Sequence, residues 1–70
     1  MPLTVAPLGR EIKIVKVLPE EKTKRHLANM GLLAGERITV LSSGGGSVIL
    51  KVKEGRVALD KDLAVKIFVA

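Results

Sequence analysis

Five short runs rich in β-branched and aliphatic residues, set close together and separated by turn residues, constrain this chain more than any other feature. They cover residues 11–17, 37–42, 48–53, 56–59 and 65–69. Within most of them the side chains alternate with a period of two, as a strand with one buried face requires. Val48, Leu50 and Val52 alternate with Ile49, Lys51 and Lys53; Ile38 and Val40 share a face, as do Val65, Ile67 and Val69. Residues 11–17 alternate at Ile12 and Ile14 and then shift phase to Val15 and Val17, which predicts a bulge or a sharp bend. A flat sheet this apolar would expose both edges to other chains, so the pattern predicts a mostly-β, small, partly open five-stranded barrel.

One segment departs from that period. Thr23, Leu27 and Met30 lie on one face of a helix predicted over residues 20–30. Pro19 suits its first position, Glu20 and Glu21 suit the positive end of its dipole, and Gly31 supplies its stop. Residues 2–9 read as an extended lead-in, and residues 42–47, with three consecutive glycines, as a flexible hairpin loop. Glu54-Gly55 reads as a two-residue turn and residues 61–63 as a single helical turn. The 70 residues form one domain, 1–70, because neither half could build a core; a chain this short buries roughly 60% of its unfolded surface.

Composition excludes several classes. The chain has no cysteine, so disulfides, thiolate metal sites and thiol nucleophiles are absent. Val, Leu, Ile and Ala carry a hydrophobic fraction of 47%, too high for a disordered chain, and Phe68 is the one aromatic residue. No apolar stretch reaches the ~18 residues that cross a bilayer, and residues 1–10 lack the pattern of a signal peptide. These features point to a soluble, cytoplasmic protein with no membrane insertion. A net charge of +5 favours acidic partners without choosing among them.

No reactive centre can be assembled from this sequence, so no enzyme and no cofactor are expected. The glycines at 44–46 are followed by a strand and by no lysine, unlike a phosphate-binding loop. His26, the sole histidine, lies among Lys22, Lys24 and Arg25, which oppose metal binding, and nothing beside it completes a general-base pair. Asp60 and Asp62 alone are too few oxygens for a hard cation, so no metal site is expected. Nucleic acid has an electrostatic attraction to the chain, but one phenylalanine provides no stacking platform. Docking on a protein remains, with Lys24 and Arg25 steering an acidic surface and Leu32, Leu41 and Ile49 as apolar contacts. The sequence leaves self-association open.

The segment Leu27-Ala28-Asn29-Met30-Gly31-Leu32-Leu33-Ala34-Gly35-Glu36-Arg37-Ile38-Thr39-Val40 resembles the ferrous iron transport protein A (FeoA) family, in which a helix ending Leu-x-x-Met/Leu-Gly-Leu leads through x-x-Gly into a strand. Leu3, Gly9, residues 56–59, Ala64, Ile67 and Val69 extend the likeness over nearly the whole chain. The hairpin loop lacks the proline associated with the family, and Asp60 stands where a basic residue is common. The resemblance implies an SH3-like barrel acting in the cytosol with the FeoB transporter, whose cytosolic part carries a GTPase domain. The same barrel occurs in iron-dependent repressors, but no DNA-binding helix-turn-helix precedes it here.

Overall fold

The computed structural model describes residues 1–18 and 21–70. A 3-10 turn (Leu3–Val5) precedes β1 (Glu11–Val17), α1 (Glu21–Asn29), β2 (Arg37–Gly44), β3 (Ser47–Val52), β4 (Gly55–Asp60), the one-turn α2 (Lys61–Ala64) and β5 (Ile67–Val69). The strands form one antiparallel sheet in the order β4-β3-β2-β1-β5. Its end strands, β4 and β5, do not pair with each other, so the barrel is partly open, as expected. The readings at Pro19 and Glu20 fall outside the described residues.

The core follows from the alternation. Ile12 and Ile14 of β1, Ile38 and Val40 of β2, Val48, Leu50 and Val52 of β3, Leu59 of β4, and Ile67 and Val69 of β5 face one interior. Leu3, Leu27, Leu32 and Ala64 fill its ends. Among the described residues no polar or charged residue is buried, so the core bears no cost of desolvating polar side chains.

β1 bends where the phase shift predicts. Ile14 pairs with Val69 and Lys16 with Phe68, which leaves Val15 as the extra residue of a bulge. The consequence differs in one respect from the sequence pattern: Val17 returns inward while Val15 is 50% exposed. The first half of β1 pairs with β2 and the second with β5. Between them, Lys13 exchanges two hydrogen bonds with Ala70 while Ile14 bonds Gly35 and Glu36 across the other edge.

Four other boundaries depart from the pattern. The two-residue turn between β3 and β4 is Lys53-Glu54 and not Glu54-Gly55, because Gly55 pairs with Val52 as the first residue of β4. The lead-in contains the 3-10 turn, with Leu3 buried. β2 and β3 extend through the serines to Gly44 and Ser47, leaving a two-residue turn at Gly45-Gly46. Val65 is exposed and precedes β5, because α2 runs one residue further than expected and uses Val65 as its cap.

α1 ends in a Schellman motif. The Leu32 N–H donates to the Leu27 carbonyl at 2.9 Å, and the Gly31 N–H to the Ala28 carbonyl at 2.9 Å. Gly31 has φ +85°, and the motif brings Leu32 back onto Leu27, both fully buried. This corrects one reading: Leu32 is a core anchor and not a surface contact, because the left-handed residue turns it inward. A Cβ at position 31 meets nothing within 4 Å, so only the backbone opposes a substitution. Gly31→Ala should therefore cost about 1–2 kcal/mol and lower the melting temperature by about 5–15 °C, measured by circular dichroism; an unchanged melting curve would refute the cap's role.

Candidate docking surface

The bulge and the helix cap together shape a groove. The bulge turns both Val15 and Lys16 outward on β1, and the Schellman turn carries the chain back along α1 before β2 begins. Leu33 and Ala34 then lie exposed in the link, where a four-residue turn closes with a hydrogen bond from the Glu36 N–H to the Leu33 carbonyl at 3.1 Å. Gly35, at its third position, has φ +96°, which the turn requires of a residue without Cβ strain. The result is an open groove of about 530 Å³ between β1 and α1.

Its walls are mixed. Val15 and Leu33 supply exposed apolar surface, and buried Leu32 forms part of the floor. Among the described residues, Lys16, Lys24 and Arg25 set three cations around it against one carboxylate, Glu21. Such a lining matches a partner that is apolar at its centre and acidic at its rim.

The five docking residues read from the sequence do not form one patch. Lys24 and Arg25 line this groove, with Leu32 beneath them. Leu41 and Ile49 stand together on the outer face of β2 and β3. Leu41 is the extra residue of a second bulge, and Ser42 lies opposite Ile49. Leu41 is 37% exposed and Ile49 half-buried, and neither lines the groove. Sequence reasoning missed Val15 and Lys16, for which the broken alternation in β1 was the available signal.

A second groove of about 470 Å³ separates the end of α1 from the β3–β4 hairpin, between Met30 and Val57. His26, Asp60 and Asp62 are all exposed, on α1, at the end of β4 and on α2. Among the described residues, no group of three or more His, Asp or Glu could hold a metal ion. No helix among them is long and apolar enough to cross a membrane.

The fold is that of a small SH3-like barrel. The chain belongs to the FeoA domain family, whose profile matches residues 1–70, and that family is involved in Fe(2+) transport. It is 31% identical over 68 residues to a protein of Methanocaldococcus jannaschii assigned as an Fe(2+) transport protein A, covering 97% of this chain and 83% of that one. The crystal structure of an iron uptake regulatory protein (FeoA) superposes with a TM-score of 0.89 at 31% identity, over 99% of this chain and 93% of that one. A manganese-dependent transcriptional repressor shares the fold at 19% identity and a TM-score of 0.87, over all of this chain but only 40% of its own.

Proposed function

We propose that this protein is a cytoplasmic, non-enzymatic adaptor of ferrous iron uptake that docks on the cytosolic, GTPase-containing part of a FeoB-type transporter. The observation that carries this reading is the groove between β1 and α1, where exposed Val15 and Leu33 lie among Lys16, Lys24 and Arg25. The cations draw in an acidic surface and orient it, and the apolar pair gives the complex its lifetime. The family's part in Fe(2+) transport is consistent with such a partner. Iron is the transporter's cargo on this reading, and the adaptor holds none of it.

The test is a chemical-shift titration against the transporter's cytosolic domain, first with GDP and then with a GTP analogue. Shifts should cluster at residues 15–16, 24–25 and 33–34, and one nucleotide state should bind more tightly. Absence of any response at high micromolar concentration would remove the proposal. A response confined to Leu41 and Ile49 would move the contact to the outer sheet face.

A further inference from the structure

Strand β4 leaves one side of its backbone unused. The Lys61 N–H donates to the Gly46 carbonyl at 2.9 Å, in register with the pairs Ser47–Asp60 through Val52–Gly55. Hydrogen-bonded pairs alternate along an antiparallel ladder, so Leu59, Val57 and Gly55 bond to β3. The N–H and C=O groups of Arg56 and Ala58, and the N–H of Asp60, consequently point to the free edge, while the Asp60 C=O heads the first turn of α2. Among the described residues no other strand pairs with β4, which ends the sheet, and α2 follows it with Ala64 in the core. Arg56, Ala58 and Asp60 are all exposed, with Ala58 opposite Ile49 on the outer face.

The spacing of these three residues makes the edge self-complementary. Two copies of β4 placed antiparallel about Ala58 set Ala58 against its symmetry mate and Arg56 against Asp60 of the other copy, twice. The Ala58 pair would exchange two hydrogen bonds, each Asp60 N–H would donate to the facing Arg56 carbonyl, and both charged pairs would be of opposite sign on one face. Lys51, which faces Arg56 within one copy, a like-charge pair, would gain a carboxylate one strand further on. Ala58 is small enough to let the strands meet at the two-fold axis without crowding.

The geometry points to a symmetric homodimer of this chain, formed by edge-to-edge pairing of β4 into a continuous ten-stranded sheet and locked by reciprocal Arg56–Asp60 ion pairs. The occupant of the edge is a second copy, because its charge order reads as its own complement when reversed. The inference does not depend on the transporter or on the β1–α1 groove, which lies on other elements.

Sedimentation of the purified chain over a wide concentration range tests it. The weight-average mass should climb towards twice that of the single chain as concentration rises. Ala58→Pro removes an N–H that no intrachain bond uses, so the fold should persist, while dimerisation weakens about 30-fold through two lost hydrogen bonds. Arg56→Asp and Asp60→Arg each place like charges opposite one another and should weaken dimerisation about tenfold. Combining the two reverses both charges and should restore it to within a factor of about three. A single-chain mass at every concentration would overturn the proposal. So would a double swap no better than either single change, whatever Ala58→Pro does to folding.

Discussion

Replacing Leu27 with alanine should cost about 3–5 kcal/mol. Leu27 is the one fully buried side chain of α1, 0% exposed, and the residue on which the returning Leu32 packs. A helix of nine residues has little stability of its own in water, so its place in the fold rests on this burial, with Met30 partly buried against the core just beyond its end. Alanine there would leave a cavity that only a large shift of α1 could fill. For a domain of this size the loss corresponds to a fall in melting temperature of roughly 15–30 °C. Calorimetry or thermal circular dichroism reads it directly, and a fall below about 5 °C would show that the helix is held some other way.

Reversing two charges should leave that stability intact and weaken binding. Lys24 and Arg25 are exposed on α1 at the rim of the groove, so Lys24→Glu with Arg25→Glu buries nothing new. Against the transporter's cytosolic domain, affinity should drop about 10- to 100-fold at low salt, mostly through slower association. The deficit should shrink as salt rises, because exposed charges are screened within about 10 Å at 0.1 M. Equal affinity for the two proteins at low salt, with identical melting curves, would exclude the groove as the docking site.

How much of this was readable beforehand depends on which physical signal each element carries. The limits of β1 followed from its alternation, and its bulge from the break in that alternation. The helix and its stop followed from Leu27, Met30 and Gly31. Leu32 and Leu33 were harder, since two adjacent leucines have no period. Only the left-handed backbone at Gly31 decides which of them turns inward, although the C″ position of a glycine-capped helix commonly packs back on the helix. Leu41 raised the same difficulty beside Val40. The candidate site was legible as a set of residue types and not as a place. Lys24 and Arg25 share a groove with residues of β1 that are distant in the chain, while Leu41 and Ile49 belong to another surface, and no local pattern encodes that separation.

The bulge at Val15 makes the register of β1 a matter of counting. One strand serves two neighbours, and the single extra residue supplies the bend between its halves. Shortening the strand by that residue would leave Lys16 outward and Val17 inward in strict alternation, but would remove the bend that lets the one strand pair with β2 along its first half and with β5 along its second. The glycine-rich hairpin at residues 44–47 places no side chain in the core: Gly44, Gly45 and Gly46 are exposed, and the Gly46 carbonyl ties the tip to the end of β4 through the Lys61 N–H. Relatives of this chain therefore have freedom to vary in length at the hairpin tip and almost none at the corner of β1.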